Sequence, residues 1–247
     1  MRLLLLSSYC YPEQVASTHL VNDLYEAYAK NGIECCEYAP TPCRGIDIET
    51  RDKYKKIKYE EIYNGNVKIH RFSMFAEPKN SLLRAFRYTL CIVALFFKGM
   101  KAKDIDVLYE VSTPPINGLV MALLKKIKKY KIVYNLQDIF PDSLVHTGMT
   151  KKGSLIWKIG RWVENITYRA ADKIIVISED FKKNIMEKGV PEEKIEIIYN
   201  WVDENQVVNI ERENNILFDK YNLDKDKFYI CYSGNIGKTQ NMDMLVE

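Results

Sequence analysis

The six cysteines include no Cys-x-x-Cys pair, and the nearest two are the adjacent Cys35 and Cys36. That pattern excludes a zinc knuckle or disulfide framework and reads as a reduced chain. Histidine is scarce as well. His19, His70 and His146 stand apart, none with a second His or Cys at ligand spacing, so no metal site is expected. His70 falls in a strand pattern and reads as structural. Long apolar runs are missing: the longest, residues 90–97, is far below the ~20 residues that cross a bilayer. The four leucines after Arg2 stop at Ser7-Ser8, too short a stretch for a leader. Charge of one sign is nearly balanced, with 36 Lys and Arg against 33 Asp and Glu, and the net +3 is too small for a nucleic-acid binder. What remains is an ordinary soluble composition, 47% hydrophobic and 28% charged over 247 residues, enough for one large domain or one and a half.

Strand-like and helix-like patterns alternate along the chain. Strands are expected at residues 2–7, 33–38, 67–72, 107–111, 132–136, 173–177 and 195–199. Helices are expected at 17–30, 81–101, 115–129, 154–170 and 179–188, with Asn31-Gly32 and Gly189-Val190-Pro191 as stop signals. In the 154–170 helix, Leu155, Ile159, Trp162, Ile166 and Ala170 share one face. The charged, tyrosine-rich stretch at 47–65 reads as loop. Mostly apolar strands alternating with helices predict an α/β fold, a Rossmann-like parallel sheet with helices on both faces. The texture changes after Asn200-Trp201-Val202-Asp203. Residues 204–226 read as a polar linker with a short helix near 215–221. Residues 227–247 read as the start of a second α/β domain, with a strand at 228–232, a Gly-rich turn and a helix from Gln240. The first domain is therefore expected at 1–203.

In open parallel sheets, ligands sit beyond the carboxyl ends of the strands, where loops and helix N-termini converge. Those ends offer Glu13, Gln14, Ser17, Thr18 and His19; then Ser112, Thr113 and Asn117; then Gln137, Asp138, Asp142, Ser143 and His146; then Ser178 and Glu179. Asp138 is the leading candidate, because it ends a strand in a loop stiffened by Pro141, where a carboxylate could accept a proton or orient a sugar hydroxyl. The competing reading is a turn carboxylate satisfied by backbone amides. The segment Ser233-Gly234-Asn235-Ile236-Gly237-Lys238-Thr239 is not a P-loop, since Tyr232 stands where that loop needs glycine. It can still hold a diphosphate through backbone N–H groups and a helix dipole.

Two basic regions carry a further expectation. Residues 81–103 combine apolar side chains with Arg84, Arg87, Lys98, Lys101 and Lys103, and residues 125–131 pack five lysines into seven positions. A core helix and a solvated helix end explain them; so does a surface that meets anionic lipid headgroups.

Several segments together resemble glycosyltransferase family 4, which has the two-domain GT-B fold. Val15-Ala16-Ser17-Thr18-His19-Leu20 through Gly32-Ile33-Glu34 is similar to the family's first helix and its continuation. Leu136-Gln137-Asp138-Ile139-Phe140-Pro141-Asp142-Ser143 resembles a loop of members that build bacterial surface polysaccharides. Ile198-Tyr199-Asn200-Trp201-Val202-Asp203 is similar to the segment closing the acceptor domain, and Tyr232-Ser233-Gly234-Asn235-Ile236-Gly237 to the first turn of the donor domain.

The resemblance implies a metal-independent, retaining transfer of sugar from a nucleotide-diphospho-sugar to a saccharide or polyprenol-linked acceptor, with no separate cofactor. It places Asp138 at the chemistry and Glu13, Ser17, Thr18, Gln137 and Asp142 at the acceptor or transferred sugar. Gly234, Gly237 and Lys238 fall at the donor diphosphate. It implies a cytoplasmic protein with peripheral contact to an anionic membrane. Two positions depart from the family: Glu13-Gln14-Val15-Ala16 replaces a frequent Gly-Gly, and neutral Gln137, unable to act as a base, stands where many members have His. The family's Glu pair, spaced by seven residues, is expected beyond residue 247, so these residues alone are expected not to transfer sugar. Two alternatives stand beside this reading. One is a non-catalytic acceptor-binding or membrane-docking half served by a partner donor domain; the other is another GT-B enzyme, such as a sugar-nucleotide epimerase.

Overall fold

The computed structural model describes all residues except 16, 17, 206, 235, 237–239, 241, 243 and 245–247. They form two units, Met1–Asn200 and Trp201–Glu247. The first unit runs β1 (Arg2–Leu6), α1 (Thr18–Lys30), β2 (Glu34–Pro40), α2 (Ile48–Lys56), β3 (Tyr59–Ile62), β4 (Val67–Phe72) and α3 (Ser81–Lys101). It continues with β5 (Val107–Val111), α4 (Asn117–Lys128), β6 (Lys131–Leu136), α5 (Asp142–His146), α6 (Leu155–Ala170), β7 (Lys173–Val176), α7 (Glu179–Glu187) and β8 (Ile195–Ile197).

The strands make one sheet in the order β3-β4-β2-β1-β5-β6-β7-β8, parallel except for β3 against β4. The chain winds outward from β1 to β4 and then crosses back along α3 to β5. The direction of winding therefore reverses between β1 and β5, and the crevice at that switch lies beyond their carboxyl ends.

β1 is apolar at every position from Leu3 to Leu6 because it is covered on both faces. Leu3 and Leu5 join Tyr25, Cys35 and Ile69 in the core under α1. Leu4 and Leu6 join Leu95, Met121, Leu124 and Ile185 in the larger core under α3, α4, α6 and α7. Side-chain oxygens cap the helices that enter these cores: Asn80 accepts from the Leu82 and Leu83 N–H groups, and Ser178 from that of Phe181.

The α4–α6 contact rests on a missing side chain. A Cβ at Gly118 would lie 1.9 Å from Thr167 Oγ1, and Thr167 is itself buried and bonded to the Val163 carbonyl. Gly118→Ala should therefore cost about 1–3 kcal/mol by overpacking. Adding Thr167→Ala should return part of that loss, a coupling that a double-mutant cycle in urea unfolding would reveal. Additive losses would show that the two helices do not meet there.

Two expectations are corrected. Residues 47–65 are not loop but α2 and β3. Asp47 caps α2 by accepting from the Thr50 N–H at 2.7 Å, and buried Tyr54 stacks on the Arg71 guanidinium, itself bonded to Glu60 of β3 at 2.7 Å. Dense charge hid a single anchoring aromatic. On α6, Leu155, Ile159 and Trp162 of the shared apolar face are exposed, Ile166 and Ala170 are half-buried, and Gly160, Val163, Glu164, Thr167 and Tyr168 are buried. In the second unit, residues 228–232 form no strand, and Phe228 and Ile230 are almost fully exposed. A strand needs a neighbour to satisfy its backbone, and none of the described residues of that unit supplies one. Its helix α8 (Ile216–Lys220) matches expectation. The helix read from Gln240 falls largely on residues outside the described set.

Candidate functional site

The loops that follow β5, β6 and β8 lie at the carboxyl edge of the sheet, and their hydrogen bonds tie them together. Ser112, buried just after β5, accepts from the backbone N–H groups of Gln137 at 2.9 Å and Asp138 at 3.1 Å. One hydroxyl thus pins the start of the β6 loop to the end of β5. Beside it runs a train of amides. Asn135 donates to the Tyr109 hydroxyl at 2.6 Å, and Gln137 donates to Asn135 at 2.9 Å. Gln137 and Asn200 exchange two bonds, at 2.9 and 3.2 Å, joining the β6 loop to the segment after β8. Gln137 is therefore a brace between strands.

Asp138 is exposed at this edge, and its carboxylate accepts from Ser143 Oγ at 3.2 Å. Its backbone is fixed on both sides, by Ser112 before it and by buried Ile139 after it. Further on, Phe140 and Pro141 lie on α6 at Gly160, where a Cβ would stand 2.7 and 2.8 Å from them. A carboxylate held at the backbone and open at the side chain can orient a hydroxyl or take its proton.

The other expected residues do different work. Glu13 is only 3% exposed. Its two oxygens accept from the N–H groups of Cys10, Cys43 and Arg44 at 2.8–3.0 Å. Burial pushes its carboxyl up, against the opposing pull of those three bonds. It clasps the β1 and β2 loops and does not face the crevice. Thr18 closes the first turn of α1, accepting from the Val15 N–H at 2.8 Å. Asp142 points into the protein, where Lys188 Nζ meets it at 2.7 Å. Burial pushes its carboxyl up, but Lys188 more than offsets this and leaves it below the ordinary range. Ser178 is spent capping α7. Ser17, Gly237 and Lys238 lie outside the described residues. Gly234 belongs to the second unit, where a Cβ would stand 2.9 Å from the Tyr232 hydroxyl.

Behind the edge lies a buried polar group that the strand-end reading missed. Glu110 of β5 accepts from Asn117 Nδ2 at 3.0 Å, and burial pushes its pKa up to about 8. Arg87 of α3 is wholly buried, donating to the Phe75 carbonyl at 2.9 Å. One signal was available: Glu110 is the lone charge in the strand Val-Leu-Tyr-Glu-Val.

Residues 18–206 match the family model for Glycosyltransferase Family 4. The chain is 27% identical over 146 residues to "Probable glycosyltransferase WbjE" of Pseudomonas aeruginosa, covering 59% of this chain and 36% of that protein. It is 26% identical over 130 residues to WcaI of Escherichia coli, named for colanic acid biosynthesis, covering 51% of this chain and 32% of that one. Among solved structures, sucrose-phosphate synthase from Thermosynechococcus elongatus superposes with a TM-score of 0.61 at 12% identity, over 91% of this chain and 53% of that chain. Anabaena Alr3699/HepE in complex with UDP and glucose gives 0.54 at 16% identity, over 90% and 50%. The matches thus span about a third of the curated relatives and about half of the solved chains.

Proposed function

This chain belongs to glycosyltransferase family 4, and we propose that its first unit is the acceptor side of an enzyme that moves a sugar from a nucleotide-diphospho-sugar to a saccharide or lipid-linked acceptor. The observation that carries this reading is the open carboxylate of Asp138, anchored through Ser112 beside the amide pair of Gln137 and Asn200. Asp138 orients the incoming hydroxyl or the transferred sugar. Transfer retains anomeric configuration and uses no metal. The leaving diphosphate is stabilised by backbone N–H groups and a basic side chain on the donor side, the role assigned to Gly234, Gly237 and Lys238. Glu13 and Thr18 act by shaping the loop that borders the acceptor, and Asp142 by holding the base of the Asp138 loop.

Asp138→Asn tests the assignment in the complete enzyme. The side chain is exposed, so stability should stay within about 1 kcal/mol of the parent. Turnover with a labelled nucleotide sugar should fall at least about tenfold, because a positioned acid–base group contributes more than that. Unchanged turnover removes Asp138 from the chemistry. Conversion of the donor without any acceptor would point to epimerisation.

Transfer needs donor and acceptor held together, and most of the rate gain comes from that positioning. The 247 residues alone should therefore bind a nucleotide sugar at millimolar strength or not at all in calorimetry. Micromolar binding would show that the donor site does not depend on residues outside these 247.

A further inference from the structure

α3 lies over β1 and β2 on one face of the sheet and ends at Lys101, beside the residues that open those strands. On that face β2 and β4 pair Cys36 with Lys68 and Tyr38 with His70. Past the end of α3 this surface stays open, and a recess of about 310 Å³ stands there. It lies at the amino ends of the strands, whereas Asp138 follows a carboxyl end.

The lining is uneven in charge. Tyr38, Ala102 and Ile105 give the recess apolar walls, and Arg2, Lys68, Lys101 and Lys103 meet a single acid, Glu34. Arg2 is already matched: it donates to Glu34 at 2.8 and 3.0 Å, and Asp104 lies 3.8 Å from its remaining nitrogen. Lys68, Lys101 and Lys103 pair with no carboxylate among the described residues. A chain with a net charge of only +3 thus leaves three ammonium groups uncompensated around one small space. The neighbouring imidazole feels that field. His70 stacks on Tyr38 with ring centroids 5.0 Å apart, and its pKa is lowered first by burial and then by Lys98 and Lys68. Like charges held together repel, and a bound anion relieves the repulsion.

Size and charge narrow the ligand. The volume is at the lower end of the roughly 300–1,000 Å³ usual for small-molecule sites, which suits one sugar-sized body and not a nucleotide sugar. A terminal phosphate carries nearly two negative charges at pH 7 and offers three acceptor oxygens, one for each lysine. A carboxylate brings one charge and two oxygens. We propose that this recess binds a small phosphate monoester, with the phosphate among Lys68, Lys101 and Lys103 and the carbon body against Tyr38 and Ile105. The proposal goes beyond the sugar-transfer reading and does not depend on it.

Calorimetry on the 247-residue chain, with glucose 6-phosphate as the probe, tests it. At low salt one equivalent should bind at submillimolar strength. Inorganic phosphate, which lacks the body, should bind about tenfold more weakly, and neutral glucose should not bind. High salt should weaken the binding about tenfold or more. Lys68→Gln, Lys101→Gln and Lys103→Gln combined should do the same and leave circular dichroism unchanged, since the change strands no partner. The ligand should also raise the His70 pKa, read from its ring-proton signals, which His70→Gln identifies by their loss. Four results would each overturn the proposal. The first is no binding of glucose 6-phosphate at low salt, whether or not phosphatidic acid vesicles retain the chain. The second is equal binding by the glutamine variant, and the third is a His70 titration that the ligand leaves unmoved. The fourth is sulfate or inorganic phosphate binding as tightly as glucose 6-phosphate, which would mean an adventitious ion only.

Discussion

Lys188→Met should destabilise the first unit by about 3–5 kcal/mol, the cost of stranding a buried charge by removing its partner. Lys188 Nζ lies 2.7 Å from Asp142 and 2.8 Å from Glu164 Oε1, and its side chain is only 7% exposed. Glu164 also accepts from the Tyr168 hydroxyl at 2.8 Å and pairs with Arg161. One ammonium therefore joins α5, α6 and the end of α7. Methionine keeps the length and the apolar stem but leaves two carboxylates facing each other, with Arg161 the remaining cation. Urea unfolding at pH 7 should show a lower midpoint with an unchanged slope. Adding Glu164→Gln should restore part of the loss, because the stranded charge is then gone. Asp142 supplies a pH check. Its folded pKa is depressed, so its contribution is present above the ordinary carboxylate pKa and is lost as pH falls through the folded value. The parent should lose part of its advantage over Lys188→Met in that acidic window. Equal midpoints for parent and variant at pH 7 would mean that the ammonium only breaks even against its own desolvation.

That network also shows what the sequence could and could not reveal. The parallel sheet was legible because β1, β5, β6 and β7 are apolar on both faces, which only a doubly covered strand requires. Asp138 was legible for a topological reason: a strand ends there, and ligands gather at strand ends. Asp142 and Glu13 looked equivalent to it by that rule. They differ because burial and specific partners turn them inward, and those partners, Lys188 and the Cys43 and Arg44 backbone, lie 30 or more residues away in sequence. Nothing local announces such a contact. What α6 packs with was hidden for another reason. Periodicity finds the apolar side of a helix but not what it faces, and here small and polar residues, Gly160 and Thr167, make the close contacts. α2 was masked because its one buried side chain, Tyr54, sits among lysines.

The stability of the first unit should fall as pH rises from about 4.5 to 8, and Glu110 should account for much of that fall. Burial raises the Glu110 carboxyl from 4.5 to about 8, partly opposed by its bond from Asn117. Below the unfolded pKa both states hold the proton. Between the two values only the folded state holds it, so each added pH unit favours unfolding, and above about 8 the contribution is gone. Each pH unit in that window is worth at most ~1.4 kcal/mol, which bounds the whole fall at about 5 kcal/mol. Burial also raises the carboxyls of Glu37 and Glu13, which tilt the curve the same way. Asp142 and Asp172 oppose it, but their folded values are lowered and they act at more acidic pH. Glu110→Gln isolates the one carboxyl from the others. The amide keeps an acceptor for Asn117 and carries no charge at any pH. The variant should match the parent within about 1 kcal/mol near pH 4.5 and exceed it by a few kcal/mol at pH 8, read from urea midpoints at each pH. A parallel pH profile in parent and variant would place the sensitivity elsewhere. The expected profile means that a neutral acid stands behind the edge at pH 7. Glu110 lies two residues before Ser112 on the same chain, so its ionisation at higher pH would strain the segment whose hydroxyl anchors Asp138.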